Sequence, residues 1–279
     1  MEGETVNYGG GTMNPYLVEP PFYVSFSGGR TSGMMLAKII EAHGGKLPDG
    51  GHALFANTGR EHAATYQFVD RMAAHFDVDI KWLEYRNDAK YAVVNAQTAS
   101  RNGEPFRSLI DKRKYLPNPV TRFCTSDLKV KPMTAWMRDH VGNDFTCVIG
   151  LRYDEPNRVA KLRGDLSRDI AMPLADAHVD KSQVMQFWAD MPFDLQLPNN
   201  DQAFGNCDLC FLKSMAATQR VIANDPNAAL WWIDAEESRS ATFRKDRPRY
   251  SSILHQVTVQ GRLFEEHQND QTIPCDCTE

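Results

Sequence analysis

The feature that most constrains the fold is a glycine-containing loop that joins an apolar segment to a helical one. Residues 22–26 (FYVSF) form an apolar run of strand length, and residues 31–42 (TSGMMLAKIIEA) carry apolar side chains at helical spacing. The loop between them, SGGRTS at 27–32, supplies paired glycines and three hydroxyl groups. A strand that turns tightly into a helix is typical of a layered α/β structure.

The same alternation continues along the chain. It predicts a parallel, twisted, Rossmann-like sheet with helices on both faces, followed by a helical C-terminal portion. The further predicted strands are 52–56, 80–85 and 146–151, and the further predicted helices are 61–75, 128–140, 181–189, 209–224 and 227–237.

Changes in composition divide the chain into four parts. Residues 1–20 are rich in Gly, Pro and Asn without periodicity, which favours a flexible leader. We expect an α/β domain over 21–172, a helical portion over 173–267, and a polar tail over 268–279 that contains two cysteines.

Charge and cysteine content bound the environment of the protein. The chain has 279 residues and a net charge of −5, with no apolar run long enough to span a membrane and no secretion signal at its start. We therefore expect a cytoplasmic protein without a membrane partner. In a reducing compartment its six cysteines are not expected to form disulfides, which leaves metal ligation, catalysis or burial.

The glycine loop has two interpretations from its residues alone. Paired glycines allow backbone N–H groups to converge on an anion, the helix N-terminus adds a positive dipole end, and Ser27, Thr31 and Ser32 add hydroxyl donors. The alternative is an ordinary strand-to-helix turn with a hydroxyl cap. The loop matches neither the dinucleotide G-x-G-x-x-G pattern nor the Walker pattern.

Four segments in order resemble one superfamily. VSFSGGRTS resembles the S-G-G-x-x-S loop (PP-loop) of the adenine nucleotide α-hydrolase-like enzymes, which include ATP pyrophosphatases and phosphoadenosine phosphosulfate (PAPS) reductases. NTGRE at 57–61, RFC at 122–124 followed by LK at 128–129, and GLRYDE at 150–155 resemble further nucleotide-facing segments. The resemblance extends over about half of the chain.

The resemblance implies a bound adenine nucleotide. Thr31 stands where the ATP-using branch often has an aspartate, so ATP with Mg²⁺ and a sulfonucleotide (PAPS or APS) remain alternative ligands. The implied binding residues are the loop residues Ser27, Gly28, Gly29, Arg30, Thr31 and Ser32, the segment Asn57, Thr58 and Gly59 beneath the nucleotide, and the phosphate-neutralising Lys129, Arg152 and Arg158.

Three cysteines are candidate metal ligands. Cys207 and Cys210 form a C-x-x-C at the start of a predicted helix, a spacing that suits a metal, a redox dithiol or two core residues. Relatives with an iron–sulfur cluster carry a cysteine where Cys124 stands, so the resemblance implies a three-cysteine [4Fe–4S] site. Zinc remains the alternative. The adjacent cysteines of cluster-containing sulfonucleotide reductases are replaced by Phe123-Cys124, and the set is more similar to that of tRNA thiolation enzymes.

Cys275 and Cys277 lie in the tail sequence PCDCTE. PAPS reductases carry a catalytic cysteine on a C-terminal tail, so these two are candidate catalytic residues, and an exposed pair without a role is the alternative. Cys147, within an apolar strand, is expected to be a core residue.

Two basic stretches interrupt an otherwise acidic chain. Residues 101–138 hold nine Lys or Arg against three Asp or Glu, and residues 239–249 hold five against one. A polyanion such as a nucleotide, tRNA or another nucleic acid is a candidate partner, and solvated surface charge is the alternative.

Three functions are weighed. The first is a PAPS reductase-like sulfurtransferase that uses a nucleotide and the cluster, with a sulfur donor as a further partner. The second is a sulfonucleotide reductase that releases sulfite, with a thioredoxin-like reductant. The third is a non-catalytic nucleotide- or nucleic-acid-binding module with structural zinc. The sequence leaves the oligomeric state open.

Overall fold

A computed structural model describes residues 14–259 and Ile273, and it shows a six-stranded sheet. The order is β4-β3-β2-β1-β5-β6, and every neighbouring pair is parallel except β3 with β4. The strands are β1 (Phe22–Ser25), β2 (Gly51–Asn57), β3 (Ile80–Glu84), β4 (Ala92–Val94), β5 (Thr146–Ile149) and β6 (Ile170–Ala171). The mostly parallel α/β sheet is confirmed, and β4 and β6 add to the predicted strands.

Helices cover both faces of the sheet and form the C-terminal portion. Within the described ranges, none has the length and apolar character of a membrane span. They are α1 (Arg30–Ala42), α2 (Ala63–His75), α3 (Glu104–Arg113), α4 (Phe123–Thr125), α5 (Lys131–His140), α6 (Pro156–Arg163), α7 (Pro173–Asp176), α8 (Lys181–Asp190), α9 (Met215–Asn224), α10 (Ala228–Ser238) and α11 (Tyr250–Val259).

The central strand β1 is buried on both faces, which explains why three of its four residues are apolar. Phe22 and Val24 belong to the larger apolar core, with α1, α2 and the C-terminal helices. Tyr23 points to the opposite side and belongs to a second core with α5 and β5. Because side chains alternate along a strand, these three residues supply both layers.

The C-terminal portion packs directly against helix α1 of the α/β portion. Trp188 of α8 is 1% exposed, and its indole Nε1 donates a hydrogen bond to the carbonyl of Arg30 at 2.8 Å. A Cβ atom at Gly33 of α1 would lie 2.7 Å from the Trp188 ring. This close approach fixes the first turn of α1, where the glycine loop ends.

Candidate functional site

Hydrogen bonds from its own hydroxyl groups fix the conformation of the glycine loop. Ser27 Oγ donates to Ser32 Oγ at 2.9 Å, and Ser32 Oγ donates to the carbonyl of Gly29 at 3.1 Å. Gly28 has φ of +75°, and a Cβ there would lie 2.6 Å from a methyl group of Thr65. Both the backbone conformation and the lack of space therefore require glycine at this position. The N-cap residue Gly29 offers no side-chain oxygen to the first amides of α1. These amides are the ones a helix leaves for an anion.

Arg30 connects this loop to the C-terminal portion. Its side chain is buried, and its Nε and Nη2 atoms contact the two carboxylate oxygens of Asp194 at 2.7 and 2.8 Å. Nη2 also donates to the carbonyl of Leu195. Nη1 is buried without a hydrogen-bond partner among the described residues. Buried donors of this kind are normally satisfied, so an additional acceptor is expected near it.

A small cavity of about 90 Å³, the loop cavity, lies over the glycine loop. Arg152, from the segment after β5, lines it and donates through Nη1 to Thr31 Oγ1 at 3.2 Å. Asp154 accepts from Arg152 Nε at 2.9 Å, which orients the guanidinium. The other lining residues are Ser27, Gly28, Gly29, Arg30, Thr65, Lys181, Val184, Met185, Leu195, Gln202, Gly205 and Asn206.

A larger cavity of about 450 Å³, the sheet-end cavity, opens beside the loop. Such sheets bind ligands beyond the carboxyl ends of their strands, and this volume is typical of a small-molecule site. Ser27 lines both cavities. The other lining residues are Tyr23, Ser25, Phe26, Ala56, Arg122, Thr125, Ser126, Lys129, Val130, Met133, Cys147, Ile149, Lys161, Leu162, Asp165 and Arg168.

Four of these side chains, Arg122, Lys129, Lys161 and Arg168, are basic, against one acid, Asp165. Lys129 belongs to a π-helical turn, Ser126–Val130, between α4 and α5. Such turns are uncommon and frequent at functional sites. Lys129 was predicted as a site residue from the sequence, whereas Arg122, Lys161 and Arg168 were not. Arg122 belongs to the RFC segment that carries the family resemblance, but no local pattern marks Lys161 or Arg168.

A third cavity of about 280 Å³, the cysteine cavity, brings the three predicted metal ligands together. Cys124, Cys207 and Cys210 all line it, although they come from α4 and from the segment before α9. Thr125 and Lys129 line both this cavity and the sheet-end cavity. The three cavities therefore adjoin one another through shared side chains.

The C-x-x-C segment is a turn, so the predicted helix over 209–224 is wrong at its start. The helix begins at Met215, and Ser214 caps it by accepting from the amide of Ala217. The turn is tied to the α/β portion because the amide of Asp208 donates to the carbonyl of Arg60 at 2.8 Å. The carboxylate of Asp208 pairs with the Arg60 guanidinium and accepts from the Trp232 indole.

Because α9 begins at Met215, the C-x-x-C does not lie at the N-terminus of a helix, where a positive dipole end would favour thiolates. Burial raises the pKa of the Cys207 thiol to about 12, while Lys129 and a contact with Thr58 act in the opposite direction. The Thr58 hydroxyl lies 3.5 Å from the sulfur. Without a metal, Cys207 is thus a neutral thiol at physiological pH.

The three cysteines have two candidate occupants. Among residues 14–259 and Ile273, no three His, Cys, Asp or Glu side chains converge as the ligands of one ion do. Cys124, Cys207 and Cys210 line one cavity, and the metal site stays a prediction, with a [4Fe–4S] cluster and zinc as the alternatives.

Asn57 and Gly59 lie beneath the site rather than on its surface. The Asn57 side-chain amide donates to buried Glu84 at 2.7 Å, and its oxygen accepts from the amide of Gly59 at 3.0 Å and from Tyr66. Thr58 lines the cysteine cavity. This segment therefore supports the cavities from the end of β2.

Three predicted site residues remain: Arg158, which forms an ion pair, and the two cysteines of the tail. Arg158 pairs with Glu155, which also accepts from the backbone amide of Arg152 at 3.1 Å, so it braces the Arg152 segment. Cys275 and Cys277 lie outside the described residues. Ile273 lines the cysteine cavity and donates through its amide to the carbonyl of Leu212 at 2.7 Å.

Comparison with known proteins places this arrangement in context. The sequence profile of the phosphoadenosine phosphosulfate reductase domain matches residues 21–173. The uncharacterized nin region protein ORF290 of Escherichia phage lambda is 34% identical over 208 residues, which cover 71% of this chain and 67% of that protein. The solved structure of the U34-tRNA thiolase NcsA from Methanococcus maripaludis with its [4Fe–4S] cluster has a TM-score of 0.41 and 14% identity. The match covers 93% of this chain and 80% of that one.

Proposed function

The chain belongs to the phosphoadenosine phosphosulfate reductase domain family, and we propose that it transfers sulfur to an acceptor activated by a bound adenine nucleotide. The observation that carries this proposal is the sharing of side chains between cavities. Ser27 joins the loop cavity to the sheet-end cavity, and Thr125 and Lys129 join the sheet-end cavity to the cysteine cavity. A nucleotide and three cysteines can then act on one acceptor.

The nucleotide would lie across the first two cavities. The sheet-end cavity has the volume for the nucleoside, and its basic side chains would form charge-assisted hydrogen bonds to a phosphate group. The terminal phosphates, or a sulfonate, would lie over the loop, where Arg30, Arg152 and the start of α1 line the loop cavity. The uncapped amides of that helix and the Arg152 guanidinium support an anion at this position.

The cysteines would hold the sulfur chemistry. Cys124, Cys207 and Cys210 would hold a [4Fe–4S] cluster, which would supply an iron to bind the sulfur donor. Lys213, which is buried in the wall of the cavity, donates to the carbonyl of Gly205 at 2.6 Å and to that of Ala203. It holds the segment before the C-x-x-C against the cavity.

The proposed reaction has two steps. An oxygen of the acceptor attacks the α-phosphorus of ATP, and pyrophosphate leaves. Sulfide then attacks the activated carbon, the carbon–oxygen bond breaks, and AMP leaves with that oxygen. Lys129, at the junction of the two cavities, is placed to stabilise negative charge on the phosphate during both steps.

The first test measures metal and nucleotide on the same protein. We expect anaerobically purified protein to contain iron and acid-labile sulfide, and to bind AMP, ATP or PAPS in calorimetry. Ser27→Ala should weaken binding, because it removes the Ser27–Ser32 hydrogen bond that shapes the loop, whereas Ser251→Ala, at an exposed serine of α11, should not. Absence of binding to all three nucleotides would overturn the nucleotide proposal, and colourless protein with stoichiometric zinc would overturn the cluster.

The second test separates transfer from reduction. Anaerobic protein is incubated with labelled PAPS and a thioredoxin system whose activity is proven on a control reductase. Release of sulfite would overturn sulfur transfer in favour of sulfonucleotide reduction. We expect no release of sulfite. With labelled ATP and sulfide, we expect the protein to form pyrophosphate and AMP only when acceptor is added.

A further inference from the structure

A strongly basic groove of about 830 Å³ lies next to the sheet-end cavity, and apart from Arg168 its basic side chains have no role in the proposed reaction. Seven of its lining side chains are basic and one, Asp127, is acidic. The basic ones are Arg86, Lys90, Lys112, Arg113, Lys131, Arg138 and Arg168. We call this surface the basic groove.

The cations come from separate parts of the chain that the fold brings together. Arg86 and Lys90 follow β3, Lys112 and Arg113 end α3, and Lys131 and Arg138 belong to α5. Arg168 follows α6. A solvated face on one helix does not require such convergence, so the basic stretch seen in the sequence accounts for only part of this surface.

Carboxylates neutralise part of this charge. Asp127 pairs with both Arg113 and Lys131. The other ion pairs are Arg86 with Glu84, Lys90 with Asp139, and Arg168 with Asp165. Seven cations thus face four carboxylates, which leaves an excess of three positive charges.

The excess is concentrated on two exposed side chains. Lys112 and Arg138 are both exposed, and no ion pair joins either to a carboxylate among the described residues. The ammonium of Lys112 lies 5.8 Å from the centre of the Tyr85 ring. These two side chains are therefore available to a polyanion.

The groove is continuous with the nucleotide site. Val130 and Arg168 line both the basic groove and the sheet-end cavity. A single bound nucleotide does not need this second group of cations, because the loop cavity and the sheet-end cavity already supply cations to its phosphates. An anion with repeated charges that extends away from the reaction centre does need them.

We infer that the sulfur acceptor is a nucleic acid, whose phosphodiester backbone lies in the basic groove and presents a base at the sheet-end cavity. The inference rests on the proposed sulfur transfer for the role of that base, but the binding of the backbone does not depend on it. Arginine and lysine contacts to successive phosphates position a strand without reading its sequence.

The test is salt-dependent binding of short labelled oligonucleotides, measured by fluorescence anisotropy on the full chain. Single-stranded RNA, duplex RNA and duplex DNA are the three probes, and the form bound most tightly identifies the acceptor type. We expect binding that weakens steeply between about 50 and 200 mM KCl. Lys112→Gln with Arg138→Gln should weaken it about tenfold and reduce the salt slope by roughly 1.5 to 2.

A matched variant controls for net charge. Lys46→Gln with Arg71→Gln removes two exposed cations that lie outside the groove and should leave affinity and slope unchanged. Equal losses in the two double variants, or no binding of any probe at 50 mM KCl, would overturn the inference. Calorimetric binding of the adenine nucleotide, measured on the same samples, reports the fold of each variant. It also separates failure of the groove from failure of the proposed function.

Discussion

Arg30 and Asp194 are 164 residues apart in sequence, yet they form a two-pronged ion pair at the glycine loop. The carboxylate oxygens of Asp194 accept from Nε and Nη2 of Arg30 at 2.7 and 2.8 Å. The Arg30 side chain is 4% exposed and that of Asp194 is 35% exposed. The shape of the loop therefore depends on a residue from the C-terminal portion.

Removal of this ion pair should destabilise the protein and impair the loop. Asp194→Ala leaves a buried guanidinium short of its acceptor, and we expect a loss of about 2 to 3 kcal/mol in the free energy of unfolding, because Asp194 is partly solvated. Asp79→Ala, which breaks an exposed pair with Lys81, should cost less than about 1 kcal/mol. Urea unfolding measures both, and equal effects would contradict the structural role.

Arg152 should bind the anionic end of the nucleotide at the glycine loop without a metal ion. Its guanidinium donates to Thr31 and pairs with Asp154 and Glu155, and the family resemblance places Thr31 where ATP-using relatives often have an aspartate. Arg152→Gln should weaken nucleotide binding at least tenfold, as expected for loss of a charged hydrogen bond. Arg163→Gln, which changes an exposed arginine, is the matched control. Calorimetry with EDTA should give nearly the same affinity as calorimetry with Mg²⁺, and strict dependence on Mg²⁺ would contradict this role.

Cys147 should resist alkylation although it lines the sheet-end cavity. Burial raises the pKa of its thiol to about 11, so the reactive thiolate is scarce at neutral pH. Mass spectrometry after treatment of metal-free protein with iodoacetamide should show slow labelling at Cys147 until the protein is unfolded. Fast labelling of the folded protein would place the thiol in water.

The same pKa fixes a pH dependence of stability. The folded-state pKa lies above the value of about 8.5 for an unfolded cysteine. The contribution of the buried thiol is therefore complete below about pH 8.5 and is lost as the pH rises through about 11. Over that range, the wild type should lose more unfolding free energy than Cys147→Ala, and parallel losses would contradict the assignment.

Lys213 should hold the cysteine segment in place. Lys213→Met keeps most of the side-chain volume but leaves the carbonyls of Ala203 and Gly205 without their donor, at about 1 to 3 kcal/mol each. We expect lower thermal stability and lower iron content per chain, whereas Lys245→Met, at an exposed position, should change neither. Unchanged iron content in Lys213→Met would exclude this role.

The sequence predicted the elements that depend on local pattern. Strand β1 and helix α1 were expected within a residue or two, because burial on both faces makes β1 continuously apolar and α1 carries helical periodicity. The glycine loop followed from residues that allow a tight turn. Clustering of Cys124 with the C-x-x-C came from the family resemblance rather than from spacing.

Two parts of the site could not be predicted from local sequence, because tertiary contacts determine them. These are the turn that holds the C-x-x-C and two of the four basic side chains of the sheet-end cavity. The apolar residues after Cys210 predict a helix, but the amide of Asp208 donates to the carbonyl of Arg60, the amide of Lys213 donates to the carbonyl of Cys210, and Ser214 starts the helix later. Lys161 and Arg168 lie far in sequence from the glycine loop and line the sheet-end cavity because β5 and β6 bring them there. No local pattern carries that information.

The most direct test of the account is whether a bound nucleotide shields Cys124, which lies on the other side of Thr125 and Lys129. The measurement is the rate of iodoacetamide labelling of Cys124 in metal-free protein, with and without a saturating adenine nucleotide. Labelling of the wild type should be several-fold slower with nucleotide, and Ser27→Ala should show no protection at a nucleotide concentration too low for that variant to bind. Unchanged labelling of a wild type shown by calorimetry to be saturated would contradict a joint nucleotide and cysteine site.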